Sequence, residues 1–272
     1  MASHAYALVN AASGLAVAAF GGDATGAQRS RLNDGHMDRL FSAGALASTC
    51  TITIDFGTAT SLVGIALLNN NLATATAPTV TIQGDSLSDF STAVTAKAAS
   101  TPATTKPRHK DHAFIFPAVS KRYWRVQLAW TGTFTFTLGE LFCITTLNSL
   151  SRRSVYGSGE SEEYRNSENT SETGERRSRF LAGPIRSKRL DFVDNDETAR
   201  DELMALWRDS YGGASSLLWV DDVNQVQTAA AAADQQCLFG KVQPSWGWSQ
   251  TDYGLFTLTG LELRSQGREL GA

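Results

Sequence analysis

Few side chains in this sequence combine a reactive type with a suggestive spacing. His109 and His112 form a His-x-x-His pair, which on one helical turn would bring two imidazoles to a metal ion. Their segment, Lys106-Pro-Arg-His-Lys-Asp-His112, carries a proline and no helical stripe, and no third ligand stands at a defined distance. A coincidental pair in a basic loop is the expectation. Asn33-Asp-Gly-His-Met-Asp38 offers oxygens to a calcium ion, yet Asp-Gly is first a turn signal, with Asn33 and Asp34 left as candidates for a ligand or partner loop. Trp246 and Trp248 flank a glycine in a segment that reads as a loop. Two indoles so placed either stack on sugars or press into a partner, or they close one end of a barrel. The carboxylate pairs Glu162/Glu163 and Asp221/Asp222 lack a shielded pocket: the first lies in a polar stretch, and the second ends an apolar strand, as a turn or cap does. No Gly-x-Ser-x-Gly elbow, phosphate-binding loop or His-Glu-x-x-His is present. No catalytic, metal or cofactor residues are expected, and the chain is not expected to be an enzyme.

Composition is consistent with that negative result. The 272 residues are 42% hydrophobic and 19% charged, enough to bury a core. The net charge of −3 is too small to imply a nucleic-acid or membrane partner. Residues 1–150 hold 10 basic and 8 acidic side chains, and residues 151–272 hold 14 and 19, so the halves present different surfaces. Cys50, Cys143 and Cys237 are far apart with no Cys-x-x-Cys spacing, which points to buried free thiols. The start of the chain does not read as a signal peptide, and no stretch approaches the roughly 20 apolar residues of a membrane span.

The elements that must position these residues read as strands. Thr51-Ile-Thr-Ile-Asp-Phe-Gly57 alternates, with Ile52, Ile54 and Phe56 on one face. Leu62-Val-Gly-Ile-Ala-Leu-Leu68 is apolar on both faces, as in a strand between two layers, and Gly57 with its small polar neighbours reads as the turn between the two runs. Residues 79–83, 113–116, 123–130, 133–138 and 140–144 extend the pattern. In residues 123–130 the face carrying Trp124, Val126, Leu128 and Trp130 opposes one carrying Tyr123, Arg125 and Gln127. Short alternating strands parted by turns argue for a sandwich. Residues 89–111 read as one long exposed loop, residues 4–20 as one or two edge strands, and His4 as a surface residue near a frayed end.

Residues 151–179 are rich in Glu, Ser and Arg. They form either a mobile linker or an extended hairpin arm that orders against a neighbouring subunit, in which case Tyr156, Tyr164, Arg176 and Phe180 would belong to an oligomer interface. Beyond them, residues 186–193 read as a strand. Asp194 followed by Glu197 resembles a capping box, and a helix over 196–211 carries Ala199, Leu203, Leu206, Trp207 and Tyr211 on one stripe up to Gly212-Gly213. Residues 216–220, 237–242 and 253–263 supply further strands, and the alanines at 229–233 a short helix or loop. The fold class is mainly β: an N-terminal β-sandwich over 1–147, a polar linker or arm over 148–182, and a smaller β-barrel or α+β domain with one packed helix over 183–272.

Asn33-Asp-Gly, Thr51-Ile-Thr-Ile-Asp-Phe-Gly57, Val63-Gly-Ile-Ala-Leu67, Arg122-Tyr-Trp-Arg-Val-Gln-Leu128 and Leu138-Gly-Glu-Leu-Phe142 together resemble a discoidin-like, galactose-binding-like jelly roll over residues 10–146. That resemblance implies binding of glycans, lipids or proteins through loops at one end. Gly183-Pro-Ile-Arg186, the strand to Phe192, the helix and Leu217-Leu-Trp-Val-Asp221 look like barrel modules of tailed-phage tail-tip proteins of the distal or minor tail type, over residues 180–265. This second resemblance implies a structural component of a virion tail tip or baseplate, assembled in the bacterial cytoplasm as a homo-oligomeric ring of three- or six-fold symmetry. Its implied partners are tube, hub and fibre proteins and a host surface glycan, with DNA only as passing cargo and no membrane insertion. The alternative is a carbohydrate-binding protein of the discoidin type.

Overall fold

The computed structural model describes residues 4–13, 15, 17–20, 29–34, 36, 39–46, 48–102, 111–151, 154, 160–170, 176–221, 235–243, 247–252 and 255–265. The chain divides into two compact units, Met1–Ser149 with Trp219–Cys237, and Leu150–Leu218 with Leu238–Ala272.

The first unit is built from β1 (Ala5–Ala7), β2 (Val17–Phe20), β3 (Phe41–Leu46), β4 (Thr49–Leu68), β5 (Thr76–Asp85), β6 (Val94–Ser100), β7 (His112–Thr131), β8 (Phe134–Leu138), β9 (Glu140–Ile144) and β10 (Asn148–Ser149). Its main sheet is antiparallel. β4 and β7 pair along most of their length, β5 lies on the far edge of β7, and β6 lies beyond β5. On the other edge of β4, β2 pairs with residues 51–54 and β9 with residues 64–68. β3 and β8 form a separate two-stranded sheet. The core-facing rows are those the alternation requires: Cys50, Leu128 and Val80 in one, Ile52, Val126 and Ile82 in the next. They pack with Phe41, Trp124, Phe136 and Leu138 into one apolar cluster between the sheets. Each such large side chain, fully buried, contributes about 1.5–3 kcal/mol relative to exposure.

Gly57 is not a turn between two strands. β4 runs unbroken from Thr49 to Leu68, and Gly57, at φ +75°, sits where its register against β7 shifts between Asp55 and Thr60. The left-handed backbone that glycine favours also serves a bulge, which bends a strand without ending it. A second shift between Leu62 and Gly64 lets Leu62, Ile65 and Leu67 all reach the core cluster. Residues 89–111 are likewise not one loop, because Val94–Ser100 forms β6 on the edge of β5. His4 is not frayed: its ring lies 5.2 Å from that of Trp219, and Nδ1 lies 3.4 Å from Asp221 Oδ1. Asp221 also accepts from Trp219 Nε1 at 2.9 Å, within the same unit. The alanine tract 229–233 lies outside the described residues.

Asparagines fasten the edges that the ladders leave open. Asn10 donates to Glu140 Oε1 and to the Leu141 carbonyl, and its Oδ1 accepts from the amides of Ala12 and Cys143. Asn71 donates to the Thr135 carbonyl and accepts from the Thr137 amide, tying the turn after β4 to the small sheet. All three cysteines are buried and free. Burial pushes the Cys50 thiol up to about 12, and burial, followed by the charge of Glu140, pushes Cys143 well above the usual thiol range.

In the second unit, β11 (Glu160–Thr170) and β12 (Arg176–Asn195) form an antiparallel hairpin, followed by α1 (Glu197–Asp209), β15 (Gly247–Asp252) and β16 (Leu255–Ser265), while β13 (Leu217–Val220) and β14 (Gln235–Val242) each have residues in both units. Of the barrel and the α+β sheet expected here, the structure has an antiparallel sheet centred on β16, with one helix. One edge of β16 pairs with β12, and the other takes residues 240–242 of β14 and then β15. The helix starts two residues later than the capping box suggests. Asp196, not Asp194, is the cap, and its carboxylate accepts from the Ala199 amide at 2.8 Å. Ala199, Leu203 and Leu206 face inward, and Arg200 lies over the Phe256 ring at 4.7 Å. Tyr211 does not extend the buried stripe; it is 78% exposed, at φ +51°.

Beyond the Ser210 cap of the helix, Gly213 has φ +83°, and an added Cβ there would stand against the Val242 carbonyl oxygen. Gly213→Ala therefore combines left-handed strain with a main-chain clash. Chemical denaturation should register a loss of at least about 2 kcal/mol. A Gly213→Ala variant as stable as the parent would show that this helix end rearranges freely.

Candidate functional site

The alternation that buries one face of β4, β7 and β5 puts polar side chains in rows on the other. Thr51, Gln127 and Thr81 make one row, Thr53, Arg125, Gln83 and Thr95 the next, and Asp55, Tyr123 and Asp85 the third. Neighbouring strands are about 4.8 Å apart, so the rows form a regular grid of donors and acceptors.

Two aromatic rings join this grid, each paired with a guanidinium. Arg122 lies over the Tyr123 ring at 4.7 Å and donates from Nε and Nη2 to both oxygens of Asp55, at 2.8 and 2.9 Å. The Gly57 amide adds a third bond to Asp55 at 2.7 Å. The bond from Arg122 and then that from Gly57 hold the Asp55 carboxyl below its usual range. This fork bridges β4 and β7 where their ladder is interrupted.

Arg125 lies 4.4 Å from the centre of the Phe90 ring and donates from Nε to Gln83 Oε1 at 2.7 Å. Gln83 in turn donates to Thr95 Oγ1 at 3.2 Å. Phe90 belongs to the turn between β5 and β6 and has φ +55°, a conformation that bulky L-residues rarely adopt. Asp85 maintains this turn. Its side chain is fully buried and accepts from the amides of Ser86, Leu87 and Thr92 and from the Thr92 hydroxyl. Burial acts to raise the Asp85 carboxyl, but the bonds from Thr92, Leu87 and Ser86 outweigh it and hold the group below its usual range. Leu87 and Val94, on either side of Phe90, are 50% and 43% exposed. The result is an apolar ridge beside a planar cation, an amide and a hydroxyl. This combination suits a ligand with an apolar face and hydroxyl edges.

The residues singled out from sequence do not gather here. Asn33 is buried, and its amide donates to the carbonyls of Ala12 and Leu15 at 2.5 and 2.8 Å, so it clasps the chain instead of facing a ligand. Asp34 accepts from the His36 amide at 2.8 Å, an Asx turn, with Arg39 at 3.9 Å. His112 is not in a loop: it is fully buried at the start of β7, flanked by Leu67 of β4 and Gln236 of β14. His109 and Trp246 lie outside the described residues. Trp248 is half-buried in β15 opposite Leu258, in a strand and not a loop. Tyr156 is outside the described residues; Tyr164, Arg176 and Phe180 lie on the strands of the hairpin, and their side chains are outside the description. No group of three His, Cys, Asp or Glu among the described residues is arranged to hold a metal ion. No described helix is long and apolar enough to cross a membrane.

No family model matches the chain, and no curated protein does. Among solved structures, a chitosan-binding module of a chitosanase/glucanase from Paenibacillus sp. IK-5 is 21% identical, covering 50% of this chain and 98% of the module, with a TM-score of 0.39. The lectin domain of lectinolysin, complexed with Lewis B antigen, is 16% identical over 51% of this chain and 97% of its own, at 0.40. A pectin-binding carbohydrate-binding module is 16% identical over 47% and 88%, at 0.36.

The Asp85 cradle makes the turn sensitive to acid, and the sign follows from its depressed carboxyl. A group whose folded pKa lies below its unfolded value stabilises above the unfolded value, and that contribution is lost as pH falls through the folded one. Amide exchange in residues 86–92 should therefore quicken in acid below the usual carboxylate range. Asp85→Asn should quicken it at neutral pH and flatten the acid response. Equal protection in parent and variant at all pH values would remove Asp85 from this role.

Proposed function

We propose that the first unit binds glycans, using the polar face of its main sheet and the Phe90 turn. The observation that carries this reading is Phe90 itself, a large side chain at positive φ inside a turn whose two ends the buried Asp85 carboxylate bonds, with its ring against Arg125. Backbone strain of this kind costs on the order of 1–3 kcal/mol and persists where the surroundings enforce it. A sugar ring presents an apolar C–H face to an aromatic ring and vicinal hydroxyls to planar donors and acceptors. Phe90 and Tyr123 supply rings; Arg125, Gln83 and Thr95 supply the hydrogen-bonding edge. Binding requires no bond to be made or broken, so no acid, base or nucleophile is assigned.

A second reading, a structural component of a phage tail tip assembled as a ring, is supported by the hairpin of β11 and β12. It is a paired ladder whose outer strand has no further neighbour among the described residues. In that setting the first unit would face fibres or a host surface glycan. Light scattering after size exclusion, with negative-stain images, should then show rings of three or six copies, and deleting residues 157–176 should reduce them while both units stay folded. Particles unchanged by the deletion would count against the arm, and a strict monomer throughout would favour the glycan-binding reading.

The glycan reading is tested on an array of neutral and acidic oligosaccharides, followed by calorimetry with the best hit. Phe90→Ala should weaken that binding tenfold or more, about 1.4 kcal/mol, with an unchanged circular dichroism spectrum. Arg125→Lys, which keeps the charge and loses the planar fork, should also weaken it. No array hit for the parent chain, or full affinity in both variants, would sink the proposal.

A further inference from the structure

The hairpin of β11 and β12 is divided by a break in its own ladder. Glu160 to Glu163 pair with Lys188 to Ile185, and Arg165 to Thr170 pair with Ala182 to Arg176. Between them the register shifts, and Gly183-Pro184 falls at that shift, where a residue without an N–H removes no ladder bond. β16 pairs with β12 only from Ser187 onward. Among the described residues no strand pairs with the outer edge of β11, nor with the outer edge of β12 over residues 176–186. Over residues 176–186 the hairpin thus has two edges with no partner strand among the described residues.

These edges differ in charge. β11 carries Glu160, Glu162, Glu163 and Glu168 against a single Arg165. Residues 176–186 of β12 carry Arg176, Arg177, Arg179 and Arg186 and no acidic residue. Charge placed on an edge to prevent strand addition works by like-charge repulsion between copies. That device fails when one edge is acidic and the other basic, because each is then the complement of the other.

We infer that a second copy of this chain adds to the hairpin edge to edge, the acidic β11 of one copy pairing with the basic β12 of the next. The other two pairings are disfavoured by the same charges: β11 on β11 sets Glu beside Glu, and β12 on β12 sets Arg beside Arg. Like charges on adjacent strands are destabilising. Each arginine strand then lies between two glutamate strands, its own and its neighbour's. Such contact is head to tail, so repetition gives a closed ring when the rotation closes and a filament when it does not. The inference deepens the assembly reading and does not require a virion setting.

Two single-cysteine variants test it. Ser167→Cys places a thiol on β11 and Ser178→Cys one on β12. The native cysteines are buried, so a cross-link reports on the introduced thiols. The two proteins, distinguished by a mass tag, are mixed and oxidised, and cross-linked dimers are counted beside light scattering of the unoxidised parent. The expected result is a mixed dimer in several-fold excess over either homodimer, in a yield that falls several-fold from low to high salt as the charges are screened. Predominant homodimers would overturn the head-to-tail pairing. Parent particles larger than a monomer without a cross-link between the variants would overturn the edge contact and leave the assembly reading standing. A monomeric parent with no cross-link would overturn both.

Discussion

The antiparallel pairing of two twenty-residue strands, β4 and β7, is the constraint on which the first unit depends. Every other strand of the main sheet pairs with one of these two, or with the strand beside it. A long pair of this kind twists, and it remains in register only if its irregularities are fixed. Here the larger break is bridged by Arg122 and Asp55, with the Gly57 amide bonding to the same carboxylate. The fork lies at the surface and is screened by water, so it contributes more to geometry than to net stability. A one-residue slip would move Trp124 and Val126 outward and Arg125 inward. The buried face and the polar face are therefore set by one registration.

The Phe90 site follows from that registration. β5 lies on β7 with Gln83 opposite Arg125 and Asp85 opposite Tyr123, so the turn that follows Asp85 begins beside the guanidinium it meets. Copies joined through their hairpins would present several such sites together, and simultaneous engagement raises avidity without any new contact. The two proposed roles, adhesion in one unit and association through the other, thus reinforce one another.

Much of the fold was legible in the sequence because half-buried strands have a period of two. The alternation in residues 51–56 and 123–130 identifies the core face, and the stripe at Ala199, Leu203 and Leu206 identifies the buried side of the helix. Continuity was not legible. Gly57 reads equally as a turn or as a bulge, and only the partner strand across it decides. Asp194 and Asp196 both suit a helix cap, and the hydrogen bond that chooses Asp196 depends on where β12 ends. Asn33 and His112 look available in a list of polar residues, yet tertiary contacts bury both. The Phe90 turn was missed for a related reason. A lone aromatic in a Ser- and Asp-rich run carries no period, and its signal, an aspartate on each side of Ser86-Leu-Ser, acquires meaning only once Asp85 is seen to accept four hydrogen bonds.

Cys50, Cys143 and Cys237 are buried and free, and two of the thiols are held in their protonated form well beyond neutral pH. Nucleophilic attack and oxidation proceed through the thiolate, so these side chains act as small apolar groups. No cross-link holds the described core together, and no reactive sulfur lies on its surface. The packing of these three side chains therefore rests on apolar contact and not on sulfur chemistry.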